Sequence, residues 1–196
     1  ATTEIYTLSL HDALRSEQIT SHIDNYRFDL AAQNIYAFIW EDYCDWYLEL
    51  SKPVLYNDNA SEEAKRGTRK TLVRTLDSIL RLAHPFMPYI TEELWQAVAP
   101  LAGQTGDSIM SQAYPKCDEQ AIDEQAILEL EWVKTFITGI RQIRSEMDIA
   151  PSKTLSILLQ NYTETDQSIY TANQAFIESL AKLESNTWLS STEEAP

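Results

Sequence analysis

The cationic side chains of this chain are concentrated in a few stretches where they could contact phosphate groups. The chain has 15 Lys and Arg residues against 30 Asp and Glu, and its net charge is −15. Six of the cations lie between residues 65 and 81, where Asp77 is the single acid. Four of them fall within about 80° on a helical wheel, beside an apolar face: Arg66, Lys70, Arg74 and Arg81. Such a row is either a solvated or ion-paired face, or a ridge that contacts phosphates.

A second candidate contact is a short turn in which Arg27 stands between two aromatic residues, Tyr26 and Phe28. If Phe28 precedes a helix cap, it can pack back on its own helix as a hydrophobic staple. Alternatively, the turn is a stacking platform for an unpaired base, with Arg27 on a phosphate or a base edge. Both interpretations remain open from the sequence.

Other groups that could do chemistry lack the partners that catalysis or metal binding requires. Three carboxylates, Glu41, Asp45 and Glu49, recur every four residues, a spacing typical of a solvated or ion-paired helix face rather than of a hydrolase site. The three histidines, and the two cysteines at positions 44 and 117, match no ligand or nucleophile spacing. We therefore expect no catalytic residue and no metal site.

Composition limits the class of protein. An acidic surface repels phosphate, so the net charge argues against a general nucleic-acid binder and suits solubility. No apolar run approaches the roughly 20 residues that span a bilayer, and the first residues lack the layout of a signal peptide. Two distant cysteines are typical of a reducing cytosol. We expect a cytoplasmic protein without a membrane partner.

The element that must position these groups is an aromatic-rich stretch over residues 26–56. Its apolar side chains point in nearly every direction on a helical wheel, which is typical of a helix enclosed by other helices. The sequence predicts a central helix from Asp29, as its N-cap, to about Leu50, closed by Lys52 and Pro53.

Further helices are predicted around this central one, and a small α/β piece follows them. Ser61 or Asn59 should cap a helix over 62–83, Thr91 a helix over 91–99, and a long helix should occupy 123–148. Residues 154–160 read as a strand, residues 165–184 as a last helix, and a partner strand would begin only near 187–189. The fold class is therefore mainly α: a helical bundle over 1–150 and an α/β appendage over 151–196 that looks truncated.

Four stretches, in this order along the chain, resemble the C-terminal part of bacterial valyl-tRNA synthetase, which covers its anticodon-binding helical bundle. They are residues 24–56, 80–96, 108–115 and 140–153. The segment HPFMPYITEELW is shared with the class I synthetases for isoleucine, leucine and methionine, whereas CDWYLE and IRQIRSEM narrow the resemblance to valine. Tyr43 stands where the family has Phe, and residues 1–23 match poorly.

The resemblance implies an anticodon-binding helical bundle whose partners are the anticodon stem-loop of valine tRNA and the catalytic domain of a parent chain. The family's two ATP-binding motifs, His-x-Gly-His and Lys-Met-Ser-Lys-Ser, do not occur in this sequence. We therefore expect no cofactor in this fragment, because ATP is used by the missing catalytic domain, and we expect that the fragment alone does not activate valine.

The residues expected to meet tRNA fall into three groups. Arg27 and Phe28 are assigned to the anticodon, and two further groups to the RNA backbone: Arg141, Arg144 and Lys153, and the ridge of Arg66, Lys70 and Arg74. The alternative is an acidic helical docking module without nucleic-acid contact. Convergence of the cations on one surface would favour RNA, whereas pairing of each with a carboxylate would favour docking.

Overall fold

The computed structural model describes residues 15–116 and 123–190. The chain divides into two compact units, Ala1–Ala126 and Ile127–Pro196, which are described separately below. The described residues are mostly helical, with one two-stranded sheet in the second unit, which confirms the predicted fold class. The predicted domain boundary at residue 150 stays a prediction; the division into compact units falls within the long helix that precedes that residue.

The central helix of the first unit is longer than predicted. After α1 (residues 15–24), it runs through α2 (Phe28–Ala37), a π-helical segment (Phe38–Tyr47) and α3 (Leu48–Leu55). The prediction that Asp29 caps this helix is wrong, because Arg27 holds that position and Asp29 lies in the first turn. Pro53 does not end the helix but lies inside α3, where it removes one backbone donor from the last turns.

The π segment changes which side chains of the central helix face inward. Its hydrogen bonds span five residues, as from the Leu48 N–H to the Tyr43 carbonyl, so each turn is wider than in an α-helix. Buried positions consequently recur every four to five residues, and they include Asp42. The buried Asp42 carboxylate pairs with Arg15 of α1 at 3.1 Å.

The sequence predicts that the central helix is enclosed on all sides, but in the structure part of its surface is exposed. Tyr36 and Trp40 are both exposed, and their ring centroids lie 6.3 Å apart. The inward face packs with α1 and α4 in a cluster that includes Ile19, Phe38 and Leu82. Aromatic content therefore predicted a helix correctly but overestimated its burial.

Two further helices complete the described bundle of the first unit. Ser61 caps α4 (Glu62–Ala83) as predicted, by accepting a 3.1 Å hydrogen bond from the Ala64 N–H. The next helix, α5 (Pro88–Ala102), starts earlier than predicted because Pro88 occupies its first turn. Thr91 is therefore not a cap; its hydroxyl is buried and donates to the Met87 carbonyl at 2.7 Å. Gly103 ends α5 with a left-handed φ of 74°.

A fully buried carboxylate joins α4 to α5. Asp77 is 0% exposed, and it accepts hydrogen bonds from Trp95 Nε1 at 2.9 Å, Arg81 Nη2 at 2.7 Å and Gln104 Nε2 at 3.0 Å. Arg81 also donates to the carbonyl of Ala113 at 2.9 Å. Arg81 was expected on the cationic row of α4, but it belongs to this buried network instead.

The second unit contains most of α6 (Glu124–Glu146), then β1 (Leu155–Leu159), α7 (Glu164–Ala172), α8 (Gln174–Ala181) and β2 (Leu183–Trp188). The predicted last helix is divided at Asn173. The expectation that the piece lacks a partner strand is wrong, since β2 pairs in parallel with β1, with a register shift between Leu155 and Ser156.

The long helix α6 packs on this α/β piece through aromatic side chains. Phe136 contacts Trp132 and Tyr170, with ring centroids 5.1 and 5.5 Å apart, and Trp188 contacts Tyr170 at 5.3 Å. Trp132 Nε1 donates to Asp166 at 2.7 Å, a residue that also completes the capping box of α7 with Thr163. These contacts explain why most of α6 belongs to the second compact unit.

We predict that Asp77→Ala lowers the free energy of unfolding by about 3 to 5 kcal/mol, because it leaves the partly buried Arg81 without its counterion and the Trp95 N–H without an acceptor. Chemical denaturation followed by far-ultraviolet circular dichroism measures the change. Asp45→Ala, which removes an exposed carboxylate, is the matched control and should change stability by no more than about 0.5 kcal/mol. Equal effects of the two substitutions would contradict a central role for Asp77.

Candidate nucleic-acid interface

The turn between α1 and α2 presents two aromatic rings to solvent. Tyr26 is 82% exposed and Phe28 is 52% exposed, and their rings meet edge to face with centroids 6.3 Å apart. Phe28 is the first residue of α2 rather than the residue before its cap, so the staple does not form as predicted. The exposed rings are compatible with the alternative interpretation, a platform for an unpaired base.

Backbone hydrogen bonds hold this turn in a conformation that costs energy. The Arg27 N–H bonds to the His22 carbonyl at 2.8 Å and the Tyr26 N–H bonds to that of Ile23 at 3.0 Å, which together end α1 in a Schellman motif. Tyr26 takes the left-handed position of the motif, with a φ of 57°, where glycine is usual. Strained residues of this kind are often found at functional sites.

Arg27 is paired with a carboxylate. Its guanidinium donates two hydrogen bonds to Asp29, at 3.0 and 2.8 Å. These hydrogen bonds lower the pKa of Asp29 to about 2. Pairing with a carboxylate was expected to favour a docking module over RNA binding, so this ion pair counts against Arg27 as a phosphate contact. The pair is exposed to solvent, so it can exchange for another partner at little cost.

The cationic ridge of α4 is exposed and unpaired. Arg66, Lys70 and Arg74 lie on successive turns, and none makes an ion pair or hydrogen bond within the described residues. Of the alternatives left open by the sequence, an ion-paired face finds no support among the described residues, where Glu49 of the central helix pairs with Lys52. Arg69, which was not among the predicted contacts, is also exposed on α4. Its place among the six clustered cations could have identified it as a further candidate.

In the second unit, Arg144 is not available to RNA. Its side chain is 7% exposed, and its guanidinium donates to the carbonyls of Ala150, Pro151, Lys153 and Ala181. The prediction that Arg144 contacts phosphate is corrected on this ground: its donors are used within the protein. Its burial could not be predicted, because an Arg at the edge of an apolar stripe is ordinarily exposed.

Arg141 and Lys153 remain exposed at the surface of the same unit. Arg141 donates to the Leu180 carbonyl at 3.4 Å. Together with Arg144 it lines a cleft to which Lys182, a residue that sequence reasoning missed, also contributes. The position of Lys182 directly after the end of α8 could have identified it as a candidate.

The described residues contain neither a cluster of metal-ligating side chains nor a helix that could cross a membrane. Among these residues no group of three or more His, Cys, Asp or Glu side chains could hold a metal ion. The longest apolar helix stretches there are too short or too charged to cross a bilayer. The arrangement of exposed aromatic rings and exposed cations is suited to binding a polyanion with unpaired bases.

Comparison with known protein families agrees with this chemistry. A family model described as the anticodon-binding domain of tRNA ligase matches residues 12–159. The match includes the aromatic turn, the ridge of α4, and the unit-2 residues Arg141, Arg144 and Lys153.

We predict that the carboxyl group of Asp29 titrates near pH 2 in an NMR titration, because hydrogen bonds from Arg27 stabilise its charged form. Since this pKa is depressed, the stabilisation is present above the usual value of about 3.9 and is lost as the pH falls toward 2. In Arg27→Ala the midpoint should return toward about 3.9. A midpoint near 3.9 in the unaltered chain would show that the pair does not persist in solution.

Proposed function

Because this chain belongs to the family of anticodon-binding domains of tRNA ligases, we propose that it holds the anticodon stem-loop of valine tRNA for a valine–tRNA ligase. Membership of the family supports tRNA recognition. The choice of valine is supported by the segments CDWYLE and IRQIRSEM, which resemble valyl-tRNA synthetase. On this proposal the protein acts in the cytoplasm, and a catalytic domain of the parent chain uses ATP to attach valine.

The observation that carries the proposal is the coexistence of exposed rings and unpaired cations on an otherwise acidic chain. Splayed anticodon bases need aromatic faces on which to stack, and Tyr26 and Phe28 offer two. The RNA backbone needs cations that are not already neutralised, and Arg66, Lys70 and Arg74 are such cations in the described structure. A net charge of −15 opposes binding, so we expect weak affinity that depends on these local groups.

A second candidate, an acidic docking module, is favoured by one observation. The helix α5 exposes apolar side chains along one face, namely Ile90, Leu94 and Leu101, which are four and seven residues apart. Exposed apolar residues at helical spacing are typical of a surface that another domain covers. The two candidates differ in whether salt-dependent RNA binding occurs.

The binding of valine tRNA by this chain, measured by fluorescence anisotropy over a series of salt concentrations, tests the proposal. We predict that affinity falls as salt rises, and that Arg66→Ala, Lys70→Ala and Arg74→Ala each reduce the logarithmic slope by about 0.7 to 1, because each removes one phosphate contact. Lys65→Ala is the matched control, since Lys65 is on the same helix but is mostly buried beside Glu62. It should leave the slope unchanged.

Binding that stays flat as salt rises would reject a phosphate-driven contact and favour the docking module. Equal slopes for the ridge variants and the unaltered chain, with salt-dependent binding retained, would move the contact away from α4 without rejecting tRNA recognition.

Preference for valine is tested separately with two stem-loops that differ in the anticodon alone, one with a valine and one with an isoleucine anticodon. We predict tighter binding of the valine stem-loop, since base edges are read when anticodon bases are unstacked. Equal affinity for the two would leave tRNA recognition standing and would reject the assignment to valine.

A further inference from the structure

A cleft of about 550 Å³ lies in the second unit, where the end of α6 approaches the end of α8. Its lining carries three cations and a single acid, in a chain whose overall charge is strongly negative. The cations are Arg141, Arg144 and Lys182, and the acid is Asp148. Such a local reversal of charge attracts an anion that the rest of the surface repels.

Arg144 lines this cleft and holds together two segments of its wall through hydrogen bonds to backbone carbonyls. It donates to the carbonyls of Ala150 at 2.9 Å and Pro151 at 3.4 Å, and to that of Ala181 at 3.4 Å. These bonds tie the loop after α6 to the last residue of α8. No carboxylate pairs with Arg144 in the described residues, so its positive charge is solvated by carbonyl dipoles and still contributes to the potential of the cleft.

Arg141 and Lys182 stand at the rim, where a ligand can reach them. Both are exposed. The bond from Arg141 to the Leu180 carbonyl, at 3.4 Å, directs its guanidinium toward the end of α8. No ion pair of the Lys182 side chain occurs in the part of the chain that the structure describes.

The backbone conformation of Lys182 indicates, independently of the charges, that this residue has a role in binding. Lys182 is the C-cap of α8 and has a φ of 56°, a left-handed conformation that glycine adopts without strain and that lysine adopts at a cost. The helix end therefore tolerates a strained residue whose side chain lines the cleft. Strain of this kind, observed at a residue in a charged cleft, suggests that the side chain has a role in binding.

We infer that this cleft is a phosphate-binding site for the RNA backbone, in which Arg141 and Lys182 contact the phosphate and Arg144 is a positioning residue. The inference depends on the proposed function, because it takes tRNA as the source of the phosphate. Asp148 opposes binding through its negative charge and so limits the affinity of the site. Lys182 and Asp148 thus act in opposite directions on the same ligand.

Lys182→Gly separates a binding role from a structural one. Glycine relieves the left-handed strain, so the melting temperature should stay equal or rise. The affinity for valine tRNA should fall roughly three- to tenfold at low salt, and the slope of the salt series should decrease by about 0.7 to 1. Lys134→Ala is the matched control for charge, because Lys134 pairs with Glu131 at 2.8 Å and does not line the cleft.

Asp148→Asn provides the opposite test. Asp148 has a φ of 51°, which asparagine also tolerates, so the substitution removes the charge and keeps the backbone. It should tighten tRNA binding by a similar factor. Loss of affinity in Lys182→Gly together with a gain in Asp148→Asn supports the cleft as the site.

Two other outcomes overturn the inference and are distinguishable from each other. If Lys182→Gly binds tRNA as the unaltered chain does while the α4 ridge variants bind more weakly, the cleft is not a phosphate site and the proposed function stands. If the unaltered chain shows no salt-dependent tRNA binding at all, the proposed function fails and the assignment of the cleft to RNA fails with it.

Discussion

The described bundle of the first unit depends on one buried charge. Asp77 lies at the contact of α4 with α5, and its carboxylate receives donors from Trp95, Arg81 and Gln104. A carboxylate without water requires such partners, so α5 and the segment after it can take only the position that supplies them. The same network holds Arg81 inside, so the exposed cations of α4 end at Arg74. The extent of the candidate RNA surface on α4 thus depends on the buried hydrogen bonds of Asp77, which do not belong to that surface.

The helical class, the α4 boundaries and the strand β1 could be predicted because they depend on local patterns. Apolar periodicity, the Ser61 cap and the short apolar run before Gln160 each report the conformation of their own residues. The errors lie where a tertiary contact overrides the local signal. Pro88 initiates α5 and leaves Thr91 in its interior, and β2 forms from a polar segment because β1 offers it a partner.

The candidate site was predictable in its chemistry but only partly in its placement. Charge counting found the ridge at Arg66, Lys70 and Arg74, which is indeed exposed. It could not distinguish Arg141 from Arg144, three residues apart, because whether a guanidinium meets solvent or backbone carbonyls depends on a loop and a helix end elsewhere in the chain. Lys182 was missed for the same reason, as its importance comes from the neighbours that the fold brings to it.

The π segment has a consequence for how the central helix is assembled. Each residue of an α-helix advances by about 100°, whereas the wider turns over Phe38–Tyr47 advance by less. The segment therefore sets the rotational phase between α2 and α3, so that Ile35 before it and Leu50 after it are both buried. If the segment regularised into an α-helix, α3 would turn about the helix axis relative to α2 and present a different set of side chains to the bundle. The ten residues of the segment therefore determine how α3 is rotated relative to α2. Inserting or deleting one residue there would disturb the packing of α3 more than the packing at the site of the change.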